Sequence, residues 1–357
     1  MVIKILLIFA VLAAIDKIFG SKFKLGDEFE KGINMFGPLV LAMLGIMILV
    51  PAISRGLTHL TWIVPDFIDF SIIPSSFLAN DQGAAMLSRE LSTNKEIGAF
   101  NGLVVSSMMG CTVAFVVPYS LNMTNKQNHE HVLLGILCGI LTIPVGCIVA
   151  GLICGINFIT LIINQLPLIL FAIIITIGLV KWEKITVRIM KAFGWFVQAV
   201  IIVGIMLGFI NFMVGSKVIP GIDTMENCMS TIVYIVGIMI CALPVLYIIK
   251  RVFAKPLKFM GKKLGINEIS ALGFITTLGT SLTTFEMAKD MDSRGITLNS
   301  AFAVSASFAL IDHFAFTMSF DAKYVVPVIV GKVVSGVAAV AVAYVLLKRK
   351  EKIKNTQ

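Results

Sequence analysis

Short polar groups interrupt an otherwise apolar chain, and their types are those that handle small polar solutes. Asn80-Asp81-Gln82-Gly83 and Thr280-Ser281-Leu282-Thr283-Thr284 each lie midway through an apolar run too short to cross a bilayer, residues 74–91 and 268–288. Asp312-His313 interrupts the apolar stretch 301–320, and Lys332 stands alone in VPVIVGKVVSG. A carboxylate is costly in hydrocarbon, so an intramembrane Asp81 is a functional candidate suited to holding a cation. Asn80, Gln82 and the hydroxyls of Thr280, Ser281, Thr283 and Thr284 can bind a polar group, helped by backbone carbonyls freed at a helix break. Histidine titrates closest to neutrality, so Asp312 and His313 can exchange protons or bind a polar ligand.

Ordinary structural roles are open to the same residues. Asp81 could cap the half-helix running toward Leu91. Threonine hydroxyls commonly bond back to their own helix. Asp312-His313 could be a buried hydrogen-bonded pair that fixes helix packing. Lys332 needs a partner, and Asp312 on the preceding helix is the natural one, which reads as a structural ion pair. Glu286 reads as the start of a solvated end, 286–292. Ser106, Ser107, Ser305 and Ser307 are small residues that let helices approach closely.

No motif points to an enzyme. The chain has no HExxH, no phosphate-cradling glycine loop and no GxSxG, which also argues against an ATP-driven pump. The six cysteines (Cys111, Cys138, Cys147, Cys154, Cys228 and Cys241) show no pairing or metal-ligand spacing. Neither a metal nor another cofactor is expected.

The elements that must position these groups are membrane helices. The chain is 58% hydrophobic and 14% charged, with a mean hydropathy of +0.96. Its apolar runs are continuous rather than alternating, which excludes a β-barrel and leaves an all-α polytopic membrane protein. Spans are expected at 2–19, 33–54, 97–118, 132–156, 158–180, 189–214, 229–249, 298–319 and 325–347. Whether 74–91 and 268–288 cross or re-enter sets the total, about nine to eleven transmembrane segments. The net charge of +9 reflects basic residues in loops beside apolar segments, so no nucleic-acid partner is expected. With both interrupted segments re-entrant, only Lys4, Arg55, Arg89, Lys95, Lys217 and Lys323 fall outside and Lys332 lies within a helix. All other Lys and Arg, including the C-terminal tail, are then cytoplasmic, as the loop-charge rule favours.

The same arrangement yields an inverted repeat in a single transmembrane domain, 1–357. The halves are approximately 1–156 and 189–347, joined by a helix at 158–180. LSRELS echoes MAKDMD, and LVVSS echoes AVSAS, both at an offset of about 200 residues. Paired broken helices in opposite halves are a transporter plan. Glycine-rich helices could also associate into a homo-oligomer.

Residues 301–343, AFAVSASFALIDHFAFTMSFDAKYVVPVIVGKVVSGVAAVAVA, resemble the C-terminal signature of the ethanolamine-utilisation transporter (EutH-type) family. SSFLANDQGAAMLSREL, GLVVSSMMGCTVAFVVPYSL and KPLKFMGKKLGINEISALGFITTLG resemble its other blocks, so the likeness covers essentially the whole chain. It implies a multi-pass bacterial inner-membrane protein that admits ethanolamine, a small cationic substrate, by facilitated movement. Asp81, Asp312, His313 and Lys332 stand where that family has the same residue types. At the second break the family tends to show two asparagines followed by Ile-Pro, against Thr280-Ser281-Leu282-Thr283 here. Glu286 replaces a small residue and Gln82 a methionine. The departures leave two alternatives: a carrier for another small polar amine or neutral solute, or a non-transporting membrane partner of a catabolic enzyme complex.

Overall fold

A backbone in hydrocarbon must satisfy its own hydrogen bonds, and this chain does so by helix. The computed structural model describes residues 2–215 and 218–354, and every regular element among them is helical. Lys217 of the charge census lies outside the described residues. Six runs are long and apolar enough to cross a membrane: Leu25–Thr58, Lys95–Met123, Lys126–Ile153, Glu183–Val214, Met225–Ile249 and Asp312–Lys352. Large apolar side chains such as Ile173, Ile177, Trp195, Phe196, Val203 and Phe209 are exposed on the outside, as a lipid-facing surface requires. The protein is an all-α polytopic membrane protein.

Two expected helices are not continuous. The joining helix at 158–180 is a pair, Phe158–Asn164 and Leu166–Lys181, bent by 42°. Pro167 opens the second piece and has no amide to continue the first. The span expected at 298–319 is broken into Ser293–Ala306 and Asp312–Asp321. The amides freed between them turn to a neighbour: Phe308 N donates to Thr277 O at 3.2 Å and Leu310 N to Leu278 O at 2.8 Å. Phe308 takes a φ of 62°, a conformation a bulky side chain rarely adopts.

Both polar-interrupted segments double back. In the first hairpin, Ile72–Phe77 and Ala85–Leu91 lie side by side, with the Ser75 and Ser88 hydroxyls 2.7 Å apart. Asp69 closes its mouth, accepting from Ser71 N at 3.0 Å and from the Ser92 hydroxyl at 2.7 Å. Gly83, at φ 92°, supplies the left-handed turn at the tip. In the second hairpin, Glu268–Gly279 and Ser281–Glu286 are joined through the Thr277 and Thr284 hydroxyls, 2.9 Å apart. Asp292 closes this mouth, accepting from Asn267 N (2.9 Å), the Ser270 hydroxyl (2.8 Å) and Gly295 N (3.0 Å).

The hairpins open toward opposite ends of the Val325–Lys354 helix. Tyr324, just before that helix, donates its hydroxyl to Glu96 O at 3.1 Å, beside the first mouth. Arg294, beside the second mouth, pairs with Glu351 near the other end at 3.2 Å. At 1.5 Å per residue these ties are about 40 Å apart, more than the hydrocarbon thickness of a bilayer.

Candidate functional site

The tips of the two hairpins meet the broken segment 307–311 around a cavity of about 260 Å³. Ala79, Asp81 and Gln82 line it from the first tip, Leu282 from the second, and Phe308, Asp312 and His313 from the break. Cys111 and Phe115 of the Lys95–Met123 run and Met35, Pro38, Leu39 and Ala42 of the Leu25–Thr58 run complete the wall, with the Phe115 ring 5.5 Å from that of Phe308. Pockets for drug-sized ligands run roughly 300–1,000 Å³, so this one suits a smaller solute.

Each hairpin tip breaks for a local reason. Leu78 and Ala79 are extended after Phe77, and helix resumes only past Gly83. Thr280 is extended (φ −156°, ψ 130°), and its hydroxyl accepts from Leu282 N at 3.3 Å, capping the return arm. A threonine cap allows a helix to restart without an orphaned amide. The Lys95–Met123 run bends around the first tip as π-helix over Asn101–Gly110 and Thr112–Val116, a distortion common at functional sites.

The candidate residues separate under this geometry. Asp81, Gln82, Asp312 and His313 are brought together at the cavity. Asn80 is fully buried, and neither its amide nitrogen nor its oxygen has a protein partner; the Gln82 Oε1, Ser281 Oγ and Asp312 Oδ1 atoms are likewise buried and unpartnered. Thr284 is also buried but is spent on the hairpin, bonding Thr277 and Gly273 O. Thr283 is exposed and Thr280 caps its arm, so neither reaches the cavity wall, and the buried Asn80 and Ser281 side chains do not line it either. Glu286 is exposed, as the solvated reading expects.

The expected Asp312–Lys332 ion pair is not formed. Lys332 is fully buried, and its Nζ instead donates to Ser107 O at 2.5 Å and to His313 Nδ1 at 3.0 Å. The break at 307–311 explains this: it turns the chain so that His313, not Asp312, faces the lysine, while Asp312 faces the cavity. Among the described residues no basic side chain forms an ion pair with Asp81 or Asp312. Two half-buried carboxylates thus line one small cavity. Such a site attracts a cation that brings its own hydrogen-bond donors.

Reading the sequence missed Phe115, Phe308, Cys111 and the Ser107 carbonyl. The aromatic pair carried no signal, because phenylalanine in an apolar helix reads as packing. A sharper cue lay in the clustering of Ser305, Ser307, Asp312 and His313, which is more polarity than one continuous membrane helix carries comfortably.

Comparison with known proteins places this geometry among relatives. The family model described as "Ethanolamine utilisation protein, EutH" matches residues 1–346. The chain is 41% identical over 355 residues to the "Probable ethanolamine permease EutH" of Listeria monocytogenes, covering 98% of this chain and 94% of that one. It is 32% identical over 390 residues to the protein of the same name from Escherichia coli, covering 97% and 95%. The Salmonella typhimurium protein, also of that name, is 32% identical over 388 residues, covering 97% and 94%. No solved structure matches the chain.

Proposed function

Since the chain belongs to the family of the ethanolamine utilisation protein EutH, we propose that it carries ethanolamine across the bacterial cytoplasmic membrane. The reading makes it a facilitator rather than an enzyme. The observation that carries it is the small cavity at three helix breaks, lined by two carboxylates with which, among the described residues, no basic side chain forms an ion pair. Asp81 and Asp312 hold the substrate ammonium. The unpartnered Gln82 Oε1 at the cavity wall serves the substrate's own hydroxyl, with the unpartnered Asn80 amide and Ser281 hydroxyl in reserve beside it in the two tips. Leaving such buried groups unbonded costs about 1–3 kcal/mol each, which a bound polar solute offsets.

The fold reading that accompanies this is an inverted repeat whose hairpins re-enter the membrane from opposite faces. Support comes from the matching aspartate clamps at the two mouths, Asp69 and Asp292, and from the ties of those mouths to opposite ends of one long helix. The loop-charge rule then orients the C-terminal end, with Lys348, Arg349 and Lys350, to the cytoplasm.

The test is uptake of labelled ethanolamine by proteoliposomes carrying the wild-type chain or Asp81→Asn. A charge-assisted hydrogen bond is worth about 1.5–3 kcal/mol, so the substitution is expected to weaken uptake at limiting substrate by about 10–150-fold. Uptake unchanged by Asp81→Asn removes that residue from the site. Competition by a panel of small amines and neutral alcohols separates ethanolamine from a related solute.

A further inference from the structure

Lys332 is a fully buried cation of this core whose chemistry the proposed function leaves unused. It sits on the Val325–Lys354 helix with no exposed surface. A buried ammonium must be paired, usually with a carboxylate. Here its two bonded partners are a backbone carbonyl, Ser107 O, and an imidazole nitrogen, His313 Nδ1. Ser107 belongs to the π-helical stretch Asn101–Gly110, and His313 opens the half-helix that follows the break at 307–311. A cation held by a backbone oxygen between two distorted helices, and bonded to His313 of the cavity wall, resembles the way transporters hold a coupling Na⁺ on backbone carbonyls at broken helices. The lysine reaches that position from a third helix, so the cation is tethered.

Counting formal charge agrees with the geometry. With both carboxylates ionised, Asp81 and Asp312 bring two negative charges to the cavity. With the lysine counted, one negative charge is left over. A single ammonium substrate balances it. A co-transported alkali cation would leave the buried core with an excess positive charge, which is costly at membrane depth.

We propose that Lys332 is a resident cation standing where a coupling metal ion would otherwise bind, so that an ammonium substrate moves without a co-transported alkali cation. The identity of the substrate rests on the function proposed above; the cation position rests on the geometry of Ser107, His313 and Lys332 alone.

Two measurements test it on the full-length protein. The first is thermal unfolding in detergent with NaCl replaced by KCl at constant ionic strength, which needs no transport substrate. The wild type is expected to show no Na⁺-specific change in midpoint, and Lys332→Ala is expected to gain one of a few degrees as Na⁺ enters the freed position. The second is ethanolamine uptake by wild-type proteoliposomes, expected to be equal with and without an inward Na⁺ gradient. A wild type that Na⁺ specifically stabilises or drives overturns the proposal, and so does a folded Lys332→Ala that no alkali cation stabilises. If Lys332→Ala does not fold, the wild-type measurements decide. Absence of any ethanolamine flux counts against the substrate, while the unfolding measurement still decides the role of Lys332.

Discussion

The position of the first hairpin tip depends on a glycine that lies outside it. Gly110, in the π-helical stretch of Lys95–Met123, packs against the backbone of the tip. A Cβ on Gly110 would stand 1.9 Å from Leu78 O, 2.5 Å from Leu78 C and 2.9 Å from Ser75 O. Real Cβ contacts essentially never fall below 3.0 Å, and all three obstacles are backbone, so no rotamer change relieves them. Gly110→Ala therefore forces Leu78 away by about 1 Å, and Asn80, Asp81 and Gln82 follow within the same turn. Overpacking of this kind costs about 1–3 kcal/mol. Misplacing interacting groups by about 1 Å costs about a hundredfold where geometry is demanding. The expected result is a thermal midpoint several degrees lower and ethanolamine uptake reduced by about 10–100-fold at limiting substrate. Gly237→Ala is the control, since its Cβ meets nothing within 4 Å on the exposed face of Met225–Leu264. Wild-type uptake and midpoint in Gly110→Ala would refute the argument that the helix sets the tip.

Two further predictions concern the second hairpin. Asp292→Ala strands the Asn267 and Gly295 amides and the Ser270 hydroxyl at the mouth, so it should lower the midpoint by more than the loss of a helix cap alone, about 1 kcal/mol; circular-dichroism melts in detergent measure this. Thr280→Asn combined with Ser281→Asn should raise the preference for ethanolamine over other amines in competition uptake, because Ser281 is buried and unpartnered beside the cavity; an unchanged ranking removes this tip from selectivity.

The hairpins were legible in the sequence because few structures suit them. A run too short to span, with Asn80-Asp81-Gln82 or Thr280-Ser281 at its centre, cannot remain straight helix in lipid without stranding polar groups. Asp81, Asp312 and His313 stood out as candidates for the same reason, and they share one cavity wall. What escaped was direction. Thr283 and Thr284 are adjacent, yet one is exposed and the other bonds Thr277, a difference set by how the return arm packs. The Asp312–Lys332 pairing failed because nothing in SFALI predicts a break; no glycine or proline marks it, and the freed amides of Phe308 and Leu310 are satisfied by Thr277 and Leu278, some thirty residues earlier. A helix interruption stabilised by a distant segment leaves no glycine or proline to mark it, only the flanking polarity of Ser305, Ser307, Asp312 and His313.

That borrowed bonding divides the cavity wall into two groups. The broken segment 307–311 is hydrogen-bonded to the second hairpin through Thr277 O and Leu278 O, so these two share one backbone network. The first hairpin is locked to Lys95–Met123 through the contact of Gly110 with Leu78 and through Asn101, whose amide donates to the Ser71 hydroxyl at 2.9 Å. Few polar bonds cross between the groups. Thr112 donates its hydroxyl to Val304 O at 2.9 Å, and Lys332 spans them by bonding Ser107 on one side and His313 on the other. Asp81 belongs to the first group and Asp312 to the second, so a bound ammonium held by both would draw the groups together across the seam that Lys332 already bridges. Substrate and lysine then act on the same interface from opposite sides.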